Sequence, residues 1–303
     1  MAALLKYREA NYDSIMQERL FTRANGQVVA YYDYGLSDDV LFWHHGVGAA
    51  GPISTILCEN ADLNGFRVIE IVRSGYGNST SIPGRGVADI VPINLELADF
   101  LEIEKFGVVA ASGGGPHALA VARHSENRCL GILIVAGIGP FTEPDLDYLI
   151  GMSEARQKHW KEAKASASEF EKSLSAIVTE ISTYEIAEIE AMYGKDPNNP
   201  LSDERLSQIL ACMQYSIKQG TNGYKEDRLS FLKPWGFSIS EIAIPAQFWA
   251  GTFDSVVPLE HSLWMVRKIN DSELRVLEGK DHFTIMESGF VGGFRWLRGV
   301  FDG

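Results

Sequence analysis

The sequence of 303 residues has few cysteines and no long apolar run. Its three cysteines, Cys58, Cys129 and Cys212, are far apart and lie among apolar residues, which predicts buried, reduced thiols and neither a disulfide framework nor a metal site. No stretch approaches the ~18 consecutive apolar residues of a membrane-spanning helix, and the N-terminus lacks the apolar core of a signal peptide. We therefore expect a cytoplasmic protein with no membrane partner.

Positive charge is also scarce. The chain has 27 Lys and Arg residues against 40 Asp and Glu residues, a net charge of −13, which argues against binding to nucleic acid or to anionic membranes. A chain of this length with 46% hydrophobic residues can form one large α/β domain with an insertion, or two ordinary domains. We expect a small molecule as its partner and leave a homodimer open.

Short apolar runs alternate with helix-like segments over both ends of the sequence. From Val40 onward the runs are continuous, which is typical of parallel strands buried on both faces. Asn25-Gly26 separates the first two runs and predicts a hairpin, so we expect the sheet to begin antiparallel. These signals predict a doubly wound α/β fold. The predicted strands are 18–24, 27–34, 40–45, 67–73, 106–111, 129–136, 246–251 and 273–278, and the predicted helices lie near 52–64, 86–105, 114–125, 258–270 and 284–300.

The segment from Phe141 to Phe231 interrupts this alternation, because it shows helical spacing and almost no strand-like runs. We interpret it as a helical cap, although a plain helical subdomain fits the same pattern. The predicted division of the chain is core at 1–139, cap at 140–232 and core at 233–303. Two amphipathic helices, separated by a loop at 196–200, are predicted from Phe170, Leu174, Ile177, Val178 and Ile181 and from Leu206, Ile209, Leu210, Met213 and Ile217.

The clearest chemical signal is residues 108–116, where an apolar run ends in Ser112 and opens a helix-like segment. This pattern is typical of a nucleophile elbow, a sharp strand-to-helix turn that forces its serine into positive φ. Side chains two residues on either side would collide with the turn, and Ala110 and Gly114 are small enough to avoid it. A glycine-rich turn or a phosphate loop is the alternative, but no lysine follows the glycines. Ser112 is therefore the candidate nucleophile.

A nucleophilic serine needs a histidine to accept its proton and a carboxylate to orient that histidine. Among seven histidines, His282 lies in a loop just past a predicted strand, where it can reach the elbow. Surface or core contacts are the preferred interpretation for His117, His124, His159 and His261, which fall on predicted helices or in the cap.

The carboxylate should also follow a strand, and Asp254 does so after 246–251. The strand ending at Ala136 has no carboxylate close behind it, although an ordinary turn aspartate remains the alternative for Asp254. Asp281 would have to turn back to reach the adjacent imidazole, so we expect it to be a solvated loop residue.

Hydrolysis through a tetrahedral intermediate also needs backbone amides that bind the developing oxyanion. Gly113 follows the candidate nucleophile at a helix N-terminus, where its amide and the helix dipole favour negative charge. The second donor should come from the glycine-rich turn at 44–51, with Val47 the candidate. Gly46 and Gly48 fit a purely structural turn as well.

With serine, acid and histidine in this chain order, the sequence resembles the α/β-hydrolase fold superfamily over nearly its whole length. His45-Gly46 is similar to the superfamily's oxyanion turn, residues 73–79 to its tyrosine-glycine loop and residues 251–258 to its acid loop. At the tyrosine-glycine loop Val72 replaces the usual Asp and Ser74 the usual Pro. Directly before the histidine, Lys280-Asp281 replaces the usual small residue or glycine. These departures leave every catalytic group in place.

The resemblance implies a mostly parallel eight-stranded sheet with helices on both faces and a helical cap inserted after strand 6. It implies a triad of Ser112, Asp254 and His282, with Val47 and Gly113 forming the oxyanion hole. The candidate pocket residues, for each of which a place in the core is the alternative, are Phe141, Tyr148, Met152, Trp160, Met192, Met213, Trp235, Phe253 and Phe283.

We expect a serine hydrolase that cleaves a small or medium apolar carboxylic ester or lactone through an acyl-enzyme on Ser112, with no cofactor and no metal. Aminopeptidases, carbon-carbon bond hydrolases and perhydrolases share the same triad. A peptidase would need carboxylates to receive an α-amine, and Glu226-Asp227 is the candidate pair. A ligand-binding receptor of the same fold with little turnover also fits the sequence.

Overall fold

The computed structural model describes residues 17–193 and 201–303. In this part of the chain, eight strands form one sheet: β1 (Arg19–Thr22), β2 (Val28–Tyr34), β3 (Val40–His44), β4 (Arg67–Ile71), β5 (Phe106–Ala111), β6 (Cys129–Val135), β7 (Ala246–Gly251) and β8 (Ser272–Leu277). The same residues form ten α-helices: α1 (Thr55–Asn64), α2 (Ile90–Phe100), α3 (Gly115–His124), α4 (Glu154–Ala165), α5 (Ala167–Ile181), α6 (Ile186–Tyr193), α7 (Asp203–Ser216), α8 (Asn222–Phe231), α9 (Leu259–Lys268) and α10 (Thr284–Asp302).

The sheet has the strand order β1-β2-β4-β3-β5-β6-β7-β8. β1 and β4 both run antiparallel to β2, while every pair from β4 to β8 in this order is parallel. The antiparallel start follows from the turn at Asn25-Gly26, where Gly26 has a φ of +83°. The predicted mostly parallel eight-stranded sheet is therefore confirmed.

Helices cover both faces of the sheet. Successive side chains of β5 point to opposite sides, so Val108 packs in a core that includes α2, α3 and α9, whereas Val109 packs in one that includes α1 and α10. A strand covered on both faces must be apolar at consecutive positions, which explains the continuous runs in the sequence.

Five helices, α4 to α8, lie between β6 and β7, and we call them the inserted helices. The two predicted amphipathic helices correspond to α5 and α7. Each begins at a serine whose side chain accepts a hydrogen bond from a backbone amide: Ser166 from Glu169, and Ser202 from Arg205. The predicted loop at 196–200 lies outside the described residues, and the division into core and cap remains a prediction.

No disulfide joins the three cysteines, all of which lie in the described part of the chain. Cys58 and Cys129 are buried, as predicted, whereas Cys212 on α7 is only half-buried. Across residues 17–193 and 201–303, none of the helices combines the length and apolar character that a membrane span requires.

Candidate active site

The turn after β5 carries Ser112 in a strained conformation. Ser112 has a φ of +52°, in the left-handed region that residues other than glycine rarely adopt. The next turn opens α3, with Pro116 in its first turn. The backbone packs so closely here that a Cβ on Gly114 would overlap the carbonyl oxygen of His44. The turn therefore has the geometry of a nucleophile elbow.

A chain of hydrogen bonds joins the three residues that the sequence proposed as a triad. Ser112 Oγ lies 3.1 Å from His282 Nε2, and His282 Nδ1 lies 2.7 Å from Asp254 Oδ2. The carboxylate accepts from Nδ1–H, which leaves the Nε2 lone pair facing the serine hydroxyl. This is the tautomer that a general base needs, because Nε2 must accept the serine proton.

The backbone holds the acid and the histidine in place. The other carboxylate oxygen of Asp254, Oδ1, accepts the amides of Val256 and Val257, both at 2.8 Å. The two loops touch, because the Phe253 amide donates to the Lys280 carbonyl at 3.0 Å and a Cβ on Gly251 would overlap the same carbonyl oxygen. Asp254 and His282 therefore have little freedom to move apart.

Asp281 lies in the loop before α10, as expected, but it is half-buried and not fully solvated. Its Oδ1 accepts the amides of Phe283 and Thr284 at 3.1 and 2.9 Å and the Thr284 hydroxyl at 2.8 Å. Burial acts to raise the pKa of Asp281, but these hydrogen bonds outweigh it and lower the pKa below its ordinary value. Asp281 therefore fixes the backbone that leads from His282 into α10.

The glycine-rich turn after β3 lies against the elbow. A Cβ on Gly46 would lie 3.5 Å from the Ser112 Cβ, and the Val47 side chain packs on Gly113. Within the described residues, the Val47 amide donates to no backbone carbonyl. The structure thus brings Val47 and Gly113, whose amides are the proposed oxyanion donors, together beside the serine.

Arg73 ties this turn to the rest of the site from the loop after β4. Its guanidinium donates through Nη1 to the His45 carbonyl and through Nη2 to the Gly46 carbonyl, the latter at 3.2 Å. Its backbone amide donates to His45 Nε2 at 3.2 Å, so the proton of that ring lies on Nδ1, which donates to the Gly46 carbonyl at 2.7 Å. Burial and the Arg73 charge hold the pKa of His45 well below its ordinary value, and the ring stays neutral.

Asp227 on α8 supplies the counter-charge. Its carboxylate pairs with Arg73 Nη2 at 2.7 Å, with Arg85 Nη2, and accepts the Tyr76 hydroxyl at 2.9 Å. Burial acts to raise the pKa of Asp227, but the two guanidinium charges outweigh it and hold the pKa well below its ordinary value. The inserted helices and the glycine-rich turn after β3 are therefore joined through one buried ion cluster.

This cluster removes the carboxylate pair that a peptidase would need. Asp227 is fully buried among its cationic partners, and Glu226 accepts the Gly84 amide at 2.7 Å. Neither side chain lines the cavity beside Ser112. The proposal that Glu226-Asp227 receives a substrate amine is therefore wrong.

A cavity of about 710 Å³ lies between the sheet and the inserted helices. Ser112 and His282 form part of its wall, and side chains from all five inserted helices form much of the rest. Its apolar lining includes Ile177, Ile181 and Ile209. The rings of Tyr193 and Phe283 lie 4.2 Å apart, which brings α6 against the loop of His282. A small or medium organic molecule fits such a space.

Three of the nine predicted pocket residues, Met192, Met213 and Phe283, line this cavity. The other six do not, and their assignment to the pocket was wrong. Five of them pack in or against the core beside α3 and α9, because aromatic and thioether side chains on a helical insertion also pack inward. Phe253 is instead 67% exposed on the surface. The five are Phe141, Tyr148, Met152, Trp160 and Trp235.

Several polar residues of the cavity wall were missed. Arg156 on α4 and Arg228 on α8 line it, as do His159 and Glu70. Burial raises the pKa of Glu70 well above its ordinary value, and its Oε1 accepts the Gly51 amide at 3.1 Å. The sequence did contain a signal for Glu70, because a glutamate inside the apolar run of β4 has to be buried and is therefore a candidate for a site.

His261 is a structural histidine, as its helical position suggested. Its Nδ1 accepts the Gly139 amide and its Nε2–H donates to the Tyr148 carbonyl, both at 3.0 Å. Burial lowers the pKa of His261 to about 4. Protonation of Nδ1 would also break the hydrogen bond from the Gly139 amide. His159 likewise has a pKa lowered by burial to about 4, but it faces the cavity.

In the part of the chain that the structure describes, no three His, Cys, Asp or Glu side chains are grouped so that they could hold a metal ion.

Comparison with known proteins identifies the family. The sequence profile of the alpha/beta hydrolase fold family matches residues 39–289, most of the chain, so the chain belongs to this family. An 89-residue part is 29% identical to the uncharacterized hydrolase YcgS of Bacillus subtilis (strain 168), covering 29% of this chain and 31% of that protein. The chain thus aligns with about a third of that relative's length.

Two solved structures have the same fold. An esterase from Exiguobacterium antarcticum superposes with a TM-score of 0.69 at 16% identity, over 94% of this chain and 100% of that one. The enol-lactonase from Burkholderia xenovorans LB400 superposes with a TM-score of 0.64 at 15% identity, over 94% and 100%. At these identities the likeness concerns the fold.

Proposed function

We propose that the protein is a serine hydrolase that cleaves a carboxylic ester or lactone through an acyl-enzyme on Ser112. The observation that carries this proposal is the hydrogen-bonded chain from Asp254 through His282 to Ser112, at the wall of a cavity large enough for an organic substrate. The family is one of hydrolases, and the proposal adds the nucleophile, the bond and the intermediate.

In the first half-reaction His282 Nε2 accepts the serine proton while Oγ attacks the substrate carbonyl carbon. Asp254 stabilises the imidazolium and keeps the ring oriented. The amides of Val47 and Gly113 bind the oxyanion, and the imidazolium then gives its proton to the leaving oxygen. In the second half-reaction His282 takes a proton from water while the water oxygen attacks the acyl carbon. The bond from that carbon to Ser112 Oγ then breaks, the imidazolium returns the proton to Oγ, and the carboxylic acid leaves.

The inserted helices have a matching role in this proposal. They form much of the cavity wall, so we propose that they act as the cap that selects the acyl group and limits the entry of water. An esterase and an enol-lactonase are among the proteins of similar fold, and the extension from fold to bond type is part of our proposal.

Hydrolysis of p-nitrophenyl acetate tests the proposal. Ser112→Ala should abolish hydrolysis above the uncatalysed rate, whereas Ser240→Ala, at an exposed serine on another part of the surface, should leave it unchanged. Equal activity in Ser112→Ala and the unsubstituted protein would refute the assignment of the nucleophile. Ligand binding without any turnover would favour the receptor alternative.

A further inference from the structure

Two arginines face the cavity without a partner of opposite charge. Arg156 and Arg228 both belong to its wall. In residues 17–193 and 201–303 neither guanidinium has an ion pair or a hydrogen bond with a protein group. By contrast, Arg73 and Arg85 share Asp227, and Arg205 at the same cavity lies 3.7 Å from Glu59 and 3.8 Å from Glu287.

The two guanidiniums remain charged although they are largely removed from water. Burial and the nearby charge of Arg228 lower the pKa of Arg156 to about 10, and burial lowers the pKa of Arg228. The ring of Trp160 offsets part of this cost, since its centroid lies 4.7 Å from the Arg228 guanidinium carbon. The charges of Asp254 and Asp227 also favour the charged forms of Arg156 and Arg228 respectively, although neither carboxylate forms an ion pair with them. Two like charges that are desolvated together destabilise the protein unless an anion completes the site.

The acidic residues of the wall do not form ion pairs with these two arginines, and Glu287 lies 3.8 Å from Arg205 instead. Burial raises the pKa of Glu70, which favours its neutral acid, and burial keeps His159 neutral. The net charge of the chain is −13, so an anion would be held here by the local pair and not by the field of the whole protein.

We propose that Arg156 and Arg228 bind an anionic group of the substrate, a carboxylate or a phosphate, while the bond that Ser112 attacks lies elsewhere in the same molecule. This inference rests on the proposed function and revises the expectation of a purely apolar substrate. A guanidinium presents several N–H donors in one plane, which matches two oxygens of a carboxylate or phosphate. The apolar wall around Ile177 and Ile181 would cover the body of the substrate.

A pair of matched esters tests this inference. Mono-p-nitrophenyl glutarate carries a free carboxylate, and its methyl ester has the same skeleton without the charge. We expect kcat/KM to favour the anionic ester, and Arg156→Met and Arg228→Met to reduce that preference about 10- to 100-fold each, mainly through KM. Arg275→Met is the matched control, because Arg275 lies on β8 outside the cavity wall and pairs with Glu273 at 2.8 Å.

The ratio between the two esters is measured on one protein sample, so loss of folded enzyme does not change it. If the unsubstituted protein does not prefer the anionic ester, or if the arginine variants slow both esters equally, the anion site is refuted. Competitive inhibition by glutarate but not by inorganic phosphate would assign a carboxylate to the site, and the reverse would assign a phosphate.

Failure of the proposed function gives a different result. If Ser112→Ala hydrolyses esters as fast as the unsubstituted protein, the proposed reaction is wrong, and calorimetric titration with glutarate or phosphate still tests the site. Binding that is lost in Arg156→Met and Arg228→Met would support the anion site, and absence of binding to the unsubstituted protein would refute it.

Discussion

Asp227 connects the inserted helices, through Arg73, to the glycine-rich turn after β3, and Asp227→Asn tests that connection. The substitution keeps the size of the side chain but removes the charge that faces Arg73 and Arg85. All three side chains are almost completely buried, with exposures of 0%, 1% and 5% respectively. The variant therefore leaves two guanidiniums without a counter-charge in a site that water does not reach.

Breaking a buried ion pair in this way costs about 3–5 kcal/mol of the free energy of unfolding. For a domain of this size, about 2 °C of unfolding temperature corresponds to 1 kcal/mol, so the midpoint should fall by roughly 6–10 °C. Activity should fall too, because Arg73 holds the carbonyls of His45 and Gly46 beside the oxyanion site. We expect kcat/KM for p-nitrophenyl acetate, at a temperature where the variant is folded, to fall about 100-fold.

Asp33→Asn is the matched control. Asp33 also pairs with two arginines, Arg19 at 2.7 Å and Arg67 at 2.8 Å, and it is itself buried, but these arginines are 47% and 23% exposed. Water can solvate both guanidiniums once the charge of Asp33 is removed, so the loss there should be about 1 kcal/mol with kcat/KM unchanged. Differential scanning calorimetry and steady-state kinetics measure both effects. An unchanged unfolding temperature in Asp227→Asn, or an equal loss of activity in Asp33→Asn, would contradict this reasoning.

Three further predictions concern the elbow, the acid and a buried histidine. Gly114→Ala should prevent correct folding of the elbow and abolish hydrolysis, because a Cβ there overlaps the His44 carbonyl oxygen. Gly299→Ala on α10 is the control, because a Cβ at that position meets open space, and calorimetry should show an unfolding temperature equal to or higher than that of the unsubstituted protein. Asp254→Asn should lower kcat for p-nitrophenyl acetate by about 10⁴-fold with an unchanged circular dichroism spectrum, because an amide cannot hold His282 in the required tautomer; a loss below tenfold would contradict this role. The pKa of His261 in the folded protein is about 4, below its ordinary value, so as pH falls the unfolded chain binds a proton before the folded protein does. The contribution of His261 to the free energy of unfolding is therefore complete above about pH 6.5 and is lost as pH falls towards 4, a loss of about 3 kcal/mol. Urea unfolding between pH 7 and 4 should show a shallower decrease in His261→Gln, and an unchanged slope would exclude this histidine as the cause.

The strands and the order of the sheet were predictable because burial on both faces imposes continuous apolar runs. β5 and β6 are such runs, and β7 ends at the loop that carries Asp254. Parallel strands end at the same edge of a sheet, so Ser112, Asp254 and His282 could be proposed to meet there from sequence alone. Their meeting depends on strand direction, which the pattern encodes.

The cavity wall was much less predictable. An amphipathic helix shows which of its sides is apolar but not whether that side faces a core or a cavity. Trp160 and Met192 were therefore both assigned to the pocket, although only Met192 lines it and Trp160 packs in the core. The sequence pattern predicts that Arg156 and Arg228 lie on the exposed sides of their helices, because a guanidinium is normally in water. Only the arrangement of the inserted helices against the sheet encloses them. Asp227 was missed as a partner of Arg73 for the same reason, since 153 residues separate the two in the sequence and nothing local connects them.

The most direct measurement is labelling with a fluorophosphonate probe followed by peptide mass spectrometry. An activated serine forms a covalent phosphonyl adduct, whereas an unactivated serine does not. We expect one adduct per chain, located at Ser112 and absent in His282→Ala. No adduct in the unsubstituted protein, or an adduct at another serine, would contradict the proposed reaction.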